Sequence, residues 1–288
     1  MENLNSQLAF AFKNACIKEL EALKPGNVHV FADGHGMTIE DFLLSADAVS
    51  QVIALPNITL GQRILYSVQA TQKAVACNTN LGIILLSAPL IHAALMNNKK
   101  TITHNLKLVL ANTSIEDAHD TFSAIRLANP AGLGKVNSHD VHQPASCTLL
   151  EAMQSGAQSD FIARQYSNNF TDIFSIGILS YEHAYRRLNN DVWSITALYL
   201  TLLSRFRDSH VMKKNGDAVA KEILIEANLH LLAFNKLENP KLYVGKLLTW
   251  DAQLKSKGIN PGTTADLTVA TLLYMSVKSI NNENLHYN

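Results

Sequence analysis

Thirteen glycines and seven prolines are all that this chain of 288 residues carries of the two strongest turn-forming types. Those twenty residues are about 7% of the chain, against a usual share of about 12%. That leaves too few punctuation points for the many short strands of a β-sandwich or barrel. Few turns mean long elements, and long elements rich in Ala and Leu mean helices. The predicted fold is therefore all-α, a bundle of roughly ten to twelve helices. No linker, repeat or low-complexity stretch interrupts it, so one helical domain is expected over residues 1–288. With 47% hydrophobic and only 17% charged residues the chain can bury a large core.

Twenty-four Lys and Arg balance twenty-four Asp and Glu, which argues against broad electrostatic capture of nucleic acid. The three cysteines, Cys16, Cys77 and Cys147, form no C-x-x-C clip and fit a reducing compartment. Met1 to Phe12 lacks a basic segment followed by an apolar run, so a cytoplasmic location is expected. The most apolar stretch, Leu81 to Leu95, is shorter than a bilayer span and holds Pro89 and His92. It reads as a buried core helix, and no membrane partner is expected. A homodimer is compatible with so apolar a chain.

Apolar spacing predicts a first helix that includes Leu4, Leu8, Phe12, Ala15 and Leu20 and stops before Pro25-Gly26. A second opens after Thr38, with Phe42, Ala46, Val49 and Ile53 on its inner face. Others are expected at 61–76 and 80–96, and from a capping box at Thr113-Ser114-Ile115-Glu116 to about Leu127. Later runs cover 145–157, 160–187, 190–206, 217–235, 242–256 and 263–280.

Between these helices lie five polar segments: Lys24 to His29, Asn78 to Gly82, Asn129 to Pro144, Asp208 to Gly216, and Asn260 to Asp266. Polar groups on loops held by a rigid frame are where sites are built, so the five suggest one site. Each segment also has a plainer reading. Asn78-Thr79-Asn80 precedes an apolar helix and either helps that helix start bind phosphate or simply caps it. Lys135 sits in a long Gly-rich loop without Walker spacing, as a phosphate contact or a solvated lysine. Asp208-Ser209-His210 with Lys213-Lys214 suits magnesium and phosphate, or a cap followed by a surface turn. Asp266 either caps Thr263 or faces a metal. His92 reads as a core histidine. His119-Asp120 and His139-Asp140 resemble the pairs of metal phosphohydrolases, but such dipeptides also arise by chance. No Gly-x-Ser-x-Gly elbow, HExxH helix or dinucleotide fingerprint appears.

Taken in order, these segments resemble the triphosphoribosyl-dephospho-CoA synthase family, nearly end to end. The residues that carry the resemblance are Glu21 with Lys24-Pro25-Gly26-Asn27-Val28, then Gly34-His35 with Met37, Phe42 and Ser45. Asn78-Thr79 with Gly82 follows, and then Asn260-Pro261-Gly262 with Ala265-Asp266-Leu267. Segments 124–135, 149–153 and 160–166, with Asp208-Ser209-His210, are similar to a branch from methylotrophs and methanogens. Some of that branch are encoded near genes for tetrahydromethanopterin, a one-carbon carrier.

The resemblance implies an all-α transferase for cofactor or prosthetic-group biosynthesis. ATP would be a substrate with Mg2+, and a hydroxyl of dephospho-CoA or a related small precursor would displace adenine from C1′. Under that resemblance Glu21, Asp208 and His210 are the candidate catalytic residues, and Asp208 and Asp266 the candidate metal ligands. Lys24, Asn27, Asn78, Thr79, Asn80, Lys135, Lys213 and Lys214 are the candidate nucleotide contacts. The citrate-lyase-associated members read His-Lys where this chain has Asn80-Leu81. The loss of that lysine leaves Lys135 or Lys213 to supply the charge. Three rivals remain: a different nucleotide-dependent step in one-carbon cofactor synthesis, a metal phosphohydrolase, and a nucleotide-binding protein without turnover.

Overall fold

The structure is a computed structural model that describes residues 3–96, 98–130 and 140–286, the last four of these by backbone alone. It is all-α, as expected. Among the described residues there are fourteen α-helices: α1 (Leu4–Glu21), α2 (Ile39–Ile53), α3 (Leu60–Val75), α4 (Leu81–Leu95), α5 (Ile102–Ala111), α6 (Ile115–Ala128), α7 (Leu149–Gly156), α8 (Phe161–Ser167), α9 (Ile178–Leu188), α10 (Asp191–Arg205), α11 (Ser209–Asn215), α12 (Asp217–Asn235), α13 (Val244–Ser256) and α14 (Gly262–His286). A π-helical turn, Ile173–Gly177, leads into α9, and a 3₁₀ turn, Pro240–Tyr243, leads into α13.

The count exceeds the expected range for three local reasons. Helix α5 hides from the apolar pattern because Asn105 occupies its buried face, where its amide donates to the Ala93 carbonyl at 3.1 Å. The run expected at 160–187 is broken at Asn169 and Phe170, whose φ angles of 56° and 60° are left-handed. The segment after Asp208, expected as loop, closes into the two turns of α11 because Asp208 caps it. The capping box of α6 is also one residue later than expected: Ser114 pairs with Asp117. Thr113 instead accepts the Leu150 amide on its hydroxyl.

The chain divides into two compact units. One comprises Met1–Ala15, Asp41–Phe170 and Leu272–Asn288, and the other Cys16–Glu40 and Thr171–Thr271.

In the first unit α4 is apolar on every side, and twelve of its fifteen residues are buried, the pattern of a central helix. Pro89 sits inside it, and a proline there has no N–H for the carbonyl four residues back. That carbonyl belongs to Leu85, and the buried Tyr166 hydroxyl of α8 donates to it at 2.6 Å. A side chain thus replaces the missing backbone donor. Tyr166→Phe is expected to lower unfolding free energy by about 1–3 kcal/mol, the cost of orphaning a buried acceptor. Urea titration checks this, and a loss below about 0.5 kcal/mol would mean that another donor serves Leu85. In the same unit Gly61 lets α3 approach α6. A Cβ at Gly61 would lie 2.6 Å from Asp117 Cα, and the Gly61 amide donates to Asp117 Oδ1 at 2.7 Å.

In the second unit α10, α12 and α13 close on a core that includes Leu200, Leu203, Ile223, Phe234, Leu247 and Leu254. Trp250 joins that core and donates its indole N–H to Glu226 at 2.7 Å. This frame carries the polar segments 24–37, 208–216 and 260–266.

Candidate functional site

The turn Lys24-Pro25-Gly26-Asn27 is bonded to α1, α10, α13 and Asn260. Pro25 lies four residues past the end of α1, and its carbonyl accepts the buried Tyr199 hydroxyl of α10 at 2.8 Å. Gly26 has φ 84°, a value L side chains rarely adopt. A Cβ there would lie 2.8 Å from Pro261 Cδ and 3.0 Å from Leu254 Cδ1. The first and last motifs of the sequence are therefore two faces of one packing contact, and glycine is what allows it.

Both polar groups of Gly26 are used. Its N–H donates to Asp251 Oδ1 at 2.8 Å, and its carbonyl faces His35 Nε2 at 2.8 Å. Asp251, on α13, is buried, and Lys255 one turn on gives it a hydrogen bond at 3.0 Å while also donating to Ala32 O. Burial pushes the Asp251 carboxyl up. The neighbouring His29 ring and the donors Gly26 N–H and Lys255 together outweigh burial and hold the carboxyl below the usual range. His29 Nε2 is 3.4 Å from Asp251 Oδ1 without hydrogen-bond alignment, an electrostatic neighbour rather than a bonded partner. Burial lowers the His29 imidazole, so it is neutral at pH 7.

Lys24 and Glu21 differ from their expected tasks. Lys24 is wholly buried, its ammonium held by Glu19 and by Asn27 Oδ1 at 3.1 Å, so it is enclosed rather than presented to a phosphate. Glu21 ends α1 with an exposed side chain, and the carboxylate that α1 buries is Glu19. Helical spacing explains why the sequence could have shown it: Glu19 lies four residues after the buried Ala15 and three after the buried Cys16, on the core-facing side, whereas Glu21 is the fraying end.

Asp208 has no vacant oxygen. Oδ1 accepts the amides of His210 and Val211, capping α11, and Oδ2 accepts the amide and hydroxyl of Thr264 at 2.7 and 2.8 Å. Burial pushes its carboxyl up against these four bonds. The expected metal ligand is thus a clamp that joins the starts of α11 and α14. Ser209 strengthens the joint through Thr263, 2.9 Å between hydroxyls. The clamp presents His210, whose ring is half-buried. Burial lowers its pKa, with Lys214, His35 and Lys213 acting in the same direction and Asp208 opposing them. The result is a neutral imidazole at pH 7 beside cations. Lys213 and Lys214 are exposed on α11. Asp266 is half-buried one turn into α14, and its charge acts on Lys24 and Cys16.

Asn78, Thr79 and Asn80 belong to the first unit, where their side chains bond within the protein. Asn78 caps α4 by accepting the Leu81 amide at 3.1 Å, Thr79 donates to Ser45 at 2.8 Å, and Asn80 accepts from Thr71 at 2.9 Å. Lys135 and His139 lie outside the described residues. His119 and Asp120 lie 3.7 Å apart on α6, with the His119 side chain 61% exposed. Among the described residues no three His, Cys, Asp or Glu gather as a metal site. None of the described helices is long and apolar enough to cross a membrane.

Sequence reasoning missed Asp251, Lys255, Tyr199 and Glu19. None lies in the loop segments that stood out along the chain; all four are on helices. Their signal is the presence of a charged or hydroxyl group on an otherwise apolar inner face.

No curated protein matches the chain. Among solved structures, a candidate triphosphoribosyl-dephospho-CoA synthase from Archaeoglobus fulgidus aligns at a TM-score of 0.61 and 24% identity, over 82% of this chain and 97% of its own. At that identity the likeness speaks for the fold. The family model for CitG, ATP:dephospho-CoA triphosphoribosyl transferase, matches residues 5–284. The chain belongs to this family of transferases.

Proposed function

We propose that the protein transfers a triphosphoribosyl group from ATP to a hydroxyl of dephospho-CoA or of a related ribosyl or pterin-type cofactor precursor, with adenine as the leaving group. The observation that carries this reading is the half-buried His210 imidazole set against the bare Gly262 turn, 3.6 Å from where a Cβ would lie, on the same short helix as the exposed Lys213 and Lys214. A base and a cationic, donor-rich surface are what such a displacement needs.

In the reaction the acceptor oxygen forms a bond to C1′ as the bond from C1′ to adenine N9 breaks. His210 takes the acceptor's hydroxyl proton, and adenine leaves with a proton from solvent. Lys213 and Lys214 neutralise the triphosphate. A magnesium ion would be held mainly by the triphosphate, with one or two carboxylates of the protein, and would supply further charge neutralisation. Asp266, half-buried one turn into α14, is the carboxylate of this chain that would meet it.

The test is incubation of the purified protein with ATP, magnesium and dephospho-CoA, with cell extract as a second acceptor source, following free adenine by chromatography. Enzyme-dependent adenine that requires an acceptor is the expected result. ATP binding with no adenine from any acceptor would replace this reading by a binding role.

A further inference from the structure

Lysine offers only hydrogen-bond donors, whereas a primary amide offers an acceptor oxygen at one end and a donor nitrogen at the other. That asymmetry sets the direction of a short chain in the second unit. Lys24 Nζ, enclosed beside Glu19, donates to Asn27 Oδ1, so Asn27 turns its Nδ2 away from the lysine. There Nδ2 donates to Asn260 Oδ1 at 2.8 Å. Asn260 therefore has its oxygen engaged and its Nδ2 free to donate. Asn260 is only 8% exposed, yet among the described residues its Nδ2 has no hydrogen-bond partner.

The surroundings of that amide are defined by Gly262. A methyl group on Gly262 would lie 3.6 Å from His210 Cγ and 3.8 Å from both Nδ2 and Oδ1 of Asn260, with nothing closer, and of those two amide atoms Oδ1 is already engaged by Asn27. The amide, the imidazole and the bare glycine face thus border one small space at the start of α14. The first turn of a long helix carries a positive field; at His210, Lys213 and Lys214 add to it, while the Asp208 carboxylate, already saturated by four hydrogen bonds, opposes them. An acceptor-only, anionic atom is what this space suits.

We propose that Asn260 Nδ2 is a donor to a phosphate oxygen of the nucleotide's triphosphate, and that Lys24 is a positioning residue that sets, through Asn27, which end of the Asn260 amide faces that oxygen. The inference rests on the triphosphoribosyl reading above and assigns the task of Lys24 within it.

The experiment measures binding of inorganic triphosphate with magnesium by calorimetry, beside adenine release by the same preparation. Asn27→Asp keeps an acceptor for Lys24 and puts a second acceptor against Asn260. The Asn260 amide must then reverse and present its oxygen outward, and affinity is expected to fall at least about tenfold, as for a lost bond to a charged group. Gly262→Ala fills the space with ordinary contacts on its neighbours and is expected to weaken binding by a similar factor while the melting temperature holds. In the unaltered protein the Asn260 side-chain amide proton resonances are expected to move on adding triphosphate, a response that a purely structural amide would not give.

Wild-type affinity in both folded variants, or unmoved Asn260 resonances in a protein that binds triphosphate, would overturn the proposal. Should Asn27→Asp fail to fold, Gly262→Ala and the resonances decide alone. Adenine release without triphosphate binding would remove the Asn260 contact and leave the reaction standing. Absence of both would remove both.

Discussion

Gly26→Ala is expected to lower stability by about 2–5 kcal/mol and to abolish adenine release with it. Two costs add. A non-glycine residue at φ 84° is strained by about 1–2 kcal/mol. The new Cβ then meets Pro261 Cδ at 2.8 Å, Leu254 Cδ1 at 3.0 Å and the Ile259 carbonyl at 3.3 Å, none of them the free end of a long side chain. Overpacking of this kind costs about 1–3 kcal/mol. Relief by moving the turn would break the amide bond to Asp251 and the carbonyl contact with His35. Gly36 separates the two costs, since its φ is 75° but nothing lies within 4 Å of its would-be Cβ. Gly36→Ala should therefore show the backbone strain alone. Equal melting temperatures for the two variants would mean that the Gly26 contact with Pro261 carries no weight.

His210→Gln is expected to reduce kcat by about 10²–10⁴-fold, the usual worth of a positioned general base. Nucleotide affinity should change little. Because burial and the nearby lysines lower the imidazole pKa, its base form persists to lower pH than for a free histidine. The sign follows directly: kcat/KM should rise with pH through an inflection below about 6.5 and be flat near pH 7–8. The variant should lose that inflection. A full-sized acid limb surviving in His210→Gln would assign the proton transfer to another group.

Much of this was legible in the sequence wherever one residue type has one cause. Scarce turn residues announced long helices, and α12 runs over residues 217–235, the span its pattern predicted. The polar segments at 24–29, 208–210 and 260–262 were visible because they interrupt that pattern. Their division of labour was not. Lys24 and Asp208 have the chemistry of phosphate and metal contacts, but the fold spends Lys24 on Glu19 and Asn27 and Asp208 on two helix starts. A charged residue near a turn has the same appearance in one dimension whether it faces a ligand or a buried partner. The distinction lies in contacts such as Asn27 with Asn260, 233 positions apart, and Asp251 with Gly26, 225 apart. Helix α5 escaped for the same reason: Asn105 looks like a surface residue until the Ala93 carbonyl is seen above it.

The hydroxyl of Tyr166 on the Leu85 carbonyl makes Pro89 and Tyr166 a linked pair whose order of replacement matters. Tyr166 lost first strands the carbonyl in an apolar helix. Pro89 changed first to alanine restores a backbone N–H for Leu85, after which phenylalanine at 166 costs little. A route through sequence space between the two pairs is therefore open in one direction and obstructed in the other, and a double-mutant cycle would display that asymmetry as a coupling energy.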